Sequence, residues 1–139
     1  METKIVNISA AKEEFTAQEE LALQEAGEIL RQGGLVAFPT ETVYGLGGDA
    51  LNPQSSRKIY EAKGRPSDNP LIIHIASMEA LPQIVKEVND KVRKVAESFW
   101  PGPLTIILPK SDAVPEETTG GLQTVAVRLP SHPVARRLI

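Results

Sequence analysis

Gly33-Gly34-Leu35-Val36-Ala37-Phe38-Pro39-Thr40-Glu41-Thr42, residues 33–42, decides the fold class. Paired glycines stop a helix, four apolar residues make a short buried strand, and Pro39 closes that strand onto a polar loop. Immediately upstream, Thr16-Ala17-Gln18-Glu19 is a capping box, and Ala22, Ala26, Ile29 and Leu30 recur at helical spacing up to the glycines. A helix feeding directly into a buried strand is the building unit of a layered α/β protein.

The same alternation continues downstream. After a loop from Thr40 to Leu51, Asn52 and Pro53 read as N-cap and first turn of a helix that runs through Ile59 and Ala62 and ends at Lys63-Gly64. A polar loop, Arg65 to Pro70, leads to the strand-like run Leu71-Ile72-Ile73-His74-Ile75. Ser77 is placed to cap a helix over Glu79 to Val88. Asn89 caps a second helix in which Val92, Val95, Ala96 and Phe99 share a face, closed by Pro101-Gly102-Pro103. Leu104 to Leu108 is a strand, Pro109 to Leu122 a turn-rich connection, and Thr124 to Arg128 a strand leading into Pro130. His132-Pro133 opens a helix that reaches Ile139. The pattern predicts an α/β fold with a largely buried, mixed sheet.

A chain of 139 residues, 41% hydrophobic, has material for one core, so residues 1–139 are read as a single domain. No apolar leader follows Met1 and no eighteen apolar residues run together, which predicts a protein that does not enter the membrane. The absence of cysteine excludes disulfides, thiolate metal sites and a cysteine nucleophile, and accords with a cytoplasmic location. Two histidines, His74 and His132, are too few for a histidine metal cage. The net charge of −3 divides unevenly: residues 1–50 carry −6 and residues 51–139 carry +3, so an anionic ligand favours the later part.

Three polar clusters fall at strand ends, where open α/β sheets place their ligand crevice. The first is Thr40-Glu41-Thr42 with Tyr44, running into Gly45-Leu46-Gly47-Gly48, whose bare backbone suits either ligand approach or a capped tight turn. Gly45, Gly47 and Ala50 match dinucleotide-fingerprint spacing, but the next helix starts too late and the ribose-binding acid is missing. No Gly-Lys-Ser or Gly-Lys-Thr makes a P-loop. The second cluster gathers Arg57, Lys58, Lys63 and Arg65, with Asn69 and His74 just beyond. The helix dipole accounts for Lys63 alone, whereas Arg65 lies past the Gly64 stop between Pro66 and Pro70, well placed to grip a phosphate. His74 interrupts an apolar strand, as a satisfied core histidine or as a ligand-binding group. In the third cluster Arg128 closes the strand Thr124-Val125-Ala126-Val127 and needs an anion, either a substrate carboxylate or Glu41 or Asp68.

Five segments in order resemble the YrdC-like family of threonylcarbamoyl-AMP synthases: Pro39 to Gly47, Lys63-Gly64-Arg65-Pro66, Asn69 to His74, Trp100 to Thr105, and Val125 to Pro130. The likeness runs from about Gly33 to Ile139. It implies the YrdC-like twisted mixed sheet with flanking helices, and the reaction of L-threonine, bicarbonate and ATP to threonylcarbamoyl-AMP and pyrophosphate for tRNA modification. By the same resemblance Thr42, His74 and Arg128 surround threonine, while Lys63, Arg65, Asn69 and Thr124 hold ATP, with Mg2+ riding on the nucleotide. No protein nucleophile is implied, and the product passes to downstream tRNA threonylcarbamoyl transfer machinery.

Family members continue past the point matching Ile139 into a Ser-Ala-Asn segment and further strands, so the chain is expected to be the N-terminal portion of the domain, truncated at its C-terminus. On that expectation the sheet near Val125 and Val127 is left uncovered. Three other readings compete: a non-catalytic double-stranded RNA-binding module, a carbamoyl-transfer domain of a larger maturation enzyme, and a folding remnant with no activity.

Overall fold

A computed structural model describes residues 1–9 and 14–139. Helix α1, Ala17–Arg31, starts at the expected capping box: Thr16 Oγ1 accepts from Glu19 N at 3.1 Å and the Glu19 carboxylate accepts from Thr16 N at 3.0 Å. Its inward face centres on Leu23, with Ala26 and Leu30 beside it. Ile29, expected on that face, is 38% exposed. At about 100° per residue it sits well round the helix from Leu30, so periodicity placed the stripe one residue too wide.

Strand β1, Val36–Phe38, follows Gly33, whose φ of 82° ends the helix. The segment expected to be one long loop contains a second strand, β2, Gly45–Gly47, paired antiparallel with β1 so that Phe38 faces Gly45 and Val36 faces Gly47. The reason is steric. A Cβ on Gly47 would lie 2.7 Å from the Phe38 ring, so only glycine lets the strand lie flat under that aromatic.

Helix α2, Pro53–Lys63, has the expected Asn52 cap and ends at Gly64 in the left-handed conformation. Strand β3, Ile72–His74, comes next. The single helix expected over Glu79 to Val88 is instead a 3-10 turn, Met78–Ala80, and a short helix α3, Leu81–Ile84. Ser77 makes no side-chain cap, and Val85 turns extended to bridge Lys110, burying itself to 2% exposure. Tertiary pairing outweighs helix propensity there. Helix α4, Asp90–Phe99, is capped by Asn89, and buries Val92 and Ala96 as expected, but Phe99 points outward and Trp100 takes its place in the core.

Strand β4, Ile106–Pro109, the short helix α5, Glu116–Thr119, strand β5, Thr124–Arg128, and helix α6, Pro133–Leu138, complete the chain. The second sheet has the order β3-β5-β4, with β3 parallel and β4 antiparallel to the central strand, which makes it mixed. One core packs Ile73, Ile75, Val125 and Val127 against Leu81 and Ile84 of α3 and Val92 and Ala96 of α4; a second joins Leu23 and Phe38 to Val134, Ala135 and Leu138 of α6.

Val125 and Val127, expected to lie uncovered, are 1% and 0% exposed. Strand alternation puts them on the face that α3 and α4 cover. The open face is the opposite one, where Ile72, Ala126 and Ile107 stand in cross-strand register with Ile72 46% and Ile107 67% exposed. Leu81→Ala should therefore lower stability by about 2–5 kcal/mol, and Ile107→Ala should change it by no more than about 0.5 kcal/mol. Urea unfolding midpoints check this, and equal losses from the two variants would place the core on the wrong face.

Candidate functional site

The β3–β5 register sets His74 beside Arg128, and alternation brings Ile72, His74, Thr124, Ala126 and Arg128 to the open face of the sheet. Because the two strands are parallel, that face has two chemically different ends. His74 and Arg128 occupy the C-terminal end, and Thr124 lies about 13 Å away at the N-terminal end. There the loop from Arg65 to Pro70 delivers the chain into β3.

Arg128, 8% exposed, is held from three directions. Its Nε donates to the Gly102 carbonyl at 3.2 Å, Nη1 donates to Thr42 Oγ1 at 3.4 Å, and Nη2 is ion-paired with Glu41 Oε1. Of the two carboxylates considered as its structural partner, Glu41 fills the role. The other oxygen of Glu41 accepts from Ser131 N at 2.6 Å, Ser131 Oγ at 3.0 Å and His132 N at 3.2 Å. One carboxylate thus sets its charge against a buried guanidinium and takes up the free donors where β5 passes into α6. Glu41 is the residue that motif reading undervalued: its position between two threonines was visible, its 90-residue reach to Ser131 was not. The loop around it is tied by Thr40, whose Oγ1 accepts from the Thr42 and Val43 amides, each at 3.2 Å.

His74 stands edge-on to Phe38, ring centroids 5.9 Å apart at 82°. Its Nδ1 lies 3.1 Å from the Ile72 carbonyl, which only accepts, so Nδ1 carries the proton and Nε2 is left as an acceptor. Burial holds its pKa below the ordinary histidine value, with the Ile72 hydrogen bond opposing.

At the other end, the left-handed Gly64 turns the chain so that Arg65 N bonds back to Tyr60 O at 3.0 Å. The Asn69 amide, turned with its oxygen toward Arg65, accepts from Nη2 at 2.5 Å and Nε at 3.2 Å, which aims the half-buried guanidinium. Lys63 is exposed on the last turn of α2. Arg57 and Lys58, read as part of the same basic cluster, are engaged elsewhere: Arg57 pairs with Glu117 at 2.8 Å, and Lys58 Nζ caps the Gly33 carbonyl at 2.7 Å. Helix phase carries both away from the loop.

A cleft of about 740 Å3 brings together Lys63, Arg65 and His74, with Phe38, the β2 glycines and Ile72 along its walls. Thr42, Asn69, Thr124 and Arg128 are not among the residues lining it; they adjoin it through His74, Arg65 and the sheet face. Among the described residues, no group of three or more acidic or histidine side chains could hold a metal ion. No described helix is long and apolar enough to cross a membrane.

Glu41→Gln keeps an acceptor for Ser131 but removes the charge opposite Arg128, and should cost about 1–3 kcal/mol in a urea titration. Because the folded state disfavours the protonated His74, stability should be undiminished above the ordinary value of 6.5 and decline as pH falls below it. Substituting Gln at position 74 should flatten that decline, and an unchanged slope between wild type and variant would remove His74 as its source.

Comparison with known proteins follows the same lines. The Sua5/YciO/YrdC family model, described as "Telomere recombination", matches residues 28–139. A threonylcarbamoyl-AMP synthase of Pyrococcus abyssi is 57% identical over 121 residues, 87% of this chain and 36% of the relative. The Bacillus subtilis enzyme of the same name is 49% identical over 140 residues, all of this chain and 40% of the relative. The crystal structure of P. abyssi Sua5 complexed with L-threonine superposes with a TM-score of 0.84 at 57% identity, covering 86% of this chain and 35% of that one. The chain spans little more than a third of the length of these relatives. With the family model matched over most of its residues, the chain belongs to the Sua5/YciO/YrdC family.

Proposed function

We propose that this chain supplies the substrate-binding face of a threonylcarbamoyl-AMP synthase, which makes threonylcarbamoyl-AMP and pyrophosphate from L-threonine, bicarbonate and ATP for tRNA modification. The observation that supports the reading is that Arg128, with Thr42 and His74, stands at one end of the open sheet face, while Lys63 and Arg65 line the cleft with His74. The names of the P. abyssi and B. subtilis relatives and the threonine complex of P. abyssi Sua5 support it.

In this reading Arg128 receives the threonine carboxylate through Nη1, whose bond to Thr42 is its longest and easiest to exchange, while Glu41 keeps Nη2 fixed. The neutral His74 offers Nε2 to the hydroxyl or ammonium group of threonine. Lys63 and Arg65 neutralise the triphosphate, Asn69 orients Arg65, and Thr124 borders the nucleotide; Mg2+ arrives with ATP as part of the substrate. Bicarbonate takes the proton of the threonine ammonium and loses water to give CO2, which the freed amine attacks, releasing a proton to solvent and leaving a carbamate. A carbamate oxygen then attacks the α-phosphorus, forming the P–O bond as the bond to pyrophosphate breaks. Both steps depend on placement rather than on a protein nucleophile. The cytoplasm, where tRNA and the transfer machinery that consumes the product would meet it, belongs to the same proposal. A non-catalytic double-stranded RNA module is the weaker reading, because Arg57 and Lys58 are committed to internal partners.

Two measurements on the full-length protein test this. Pyrophosphate release from ATP and bicarbonate should require threonine among the amino acids, and threoninamide should bind far more weakly than threonine, equal binding removing Arg128 as the carboxylate reader. Arg65→Ala should weaken MgATP binding by about 1.5–3 kcal/mol in calorimetry; unchanged affinity would remove Arg65 from the triphosphate site.

A further inference from the structure

The basic loop has bonds of its own, Asn69 N to Pro66 O and Arg65 to Asn69, and beyond these it rests on α5. That short helix is immobilised from below: Thr118 and Thr119 are each 1% exposed. Thr118 Oγ1 donates to the Ala50 carbonyl at 2.7 Å and meets Ser56 Oγ of α2 at 2.7 Å. Thr119 Oγ1 donates to Leu122 O at 2.7 Å. From this platform the Thr118 carbonyl takes the Leu71 amide at 3.0 Å, fixing where the loop enters β3.

The helix ends at Gly120, in the left-handed region with φ 61°. A Cβ at that position would stand 2.8 Å from the Asp68 carbonyl oxygen, 2.9 Å from its carbon and 3.3 Å from Pro70 N. All three are backbone atoms, so no side chain can swing away. Reaching ordinary contact from 2.8 Å means moving the loop by about 0.6 Å, as much as the roughly 0.5 Å within which a preorganised site must hold its groups. The displaced backbone adjoins Asn69, the residue that aims Arg65. The neighbouring Gly121 is also left-handed, with φ 84°, yet a Cβ there meets nothing within 4 Å.

We propose that Gly120 is a positioning residue for anion binding: its bare Cα lets the 65–70 loop settle onto α5 at the depth where Asn69 presents the Arg65 guanidinium. The proposal rests on the reading of Arg65 as a triphosphate ligand. The adjacent glycine supplies a matched control, because Gly120→Ala and Gly121→Ala share the left-handed backbone strain and only the first meets the loop.

MgATP and threonine affinities are measured by calorimetry on the full-length protein carrying Gly120→Ala, Gly121→Ala, Arg65→Ala, and Gly120→Ala with Arg65→Ala. Gly120→Ala should weaken MgATP binding tenfold or more, Gly121→Ala less than twofold, and neither should alter threonine binding measured without ATP. In the double variant the loss should not exceed that of Arg65→Ala alone, the non-additivity expected when one change acts through the other. Equal MgATP affinities for the two glycine variants, additive losses, or a matching loss of threonine binding would overturn the proposal. Should Arg65→Ala itself leave MgATP affinity unchanged, the triphosphate reading fails and the proposal with it. If the alanine variant does not fold, Gly120→Asn against Gly121→Asn gives the same comparison with a residue that tolerates the left-handed region better.

Discussion

A buried guanidinium cannot stand alone, and the pairing of Arg128 with Glu41 is the constraint around which the open face is organised. Arg128 sits at the end of the central strand of the mixed sheet, Glu41 in the loop of the separate β1–β2 hairpin. Their union docks the hairpin onto the sheet. Glu41 extends the same link to the Ser131 and His132 amides, so the hairpin, β5, α6 and the Gly102 turn converge on one charge pair. α6 in turn brings Val134, Ala135 and Leu138 against Phe38 and Leu23, closing the second core. Electrostatic pairing and apolar packing therefore secure the same junction from opposite sides.

The sheet divides labour by strand alternation. Val125 and Val127 face the core while Thr124, Ala126 and Arg128 face the cleft side, so a single five-residue strand turns alternate residues to the core and to the open face. The cost of this economy is an apolar strip, Ile72, Ala126 and Ile107, left between the two polar ends of the open face.

Local chemistry was the legible part of the sequence. The Thr16–Glu19 capping box, the Asn52-Pro53 helix start and the Asn89 cap depend on residues within one turn, and each stands where its pattern placed it. Strand β5 was likewise legible from its apolar run. What local pattern could not carry was decided by distant partners. β2 exists because Phe38 needs a flat glycine surface, α3 stops early because Val85 pairs with Lys110, and Phe99 yields its core position to Trp100. In the site, Thr42, His74 and Arg128 were recognisable as residue types; the β3–β5 register sets His74 beside Arg128 and the docking of the β1–β2 loop brings Thr42 to it, neither of which a single segment encodes. Arg57 and Lys58 were misjudged for the same reason, since Glu117 and the Gly33 carbonyl are far along the chain.

The reach of Glu41 also bears on the order in which the molecule assembles. Its contacts with Ser131 and His132 close loops of 90 and 91 residues, and the Thr42–Arg128 bond one of 86, each well over half of the 139 residues. Closures of that length carry a large entropic cost and gain little until the intervening elements have condensed. The Arg65–Asn69 bond, by contrast, spans a single short loop and can form as soon as α2 and β3 are adjacent. On a growing chain, then, the cationic end takes shape early, and the Arg128 end stays open until residues 128–132 have emerged, among the last steps in building this segment.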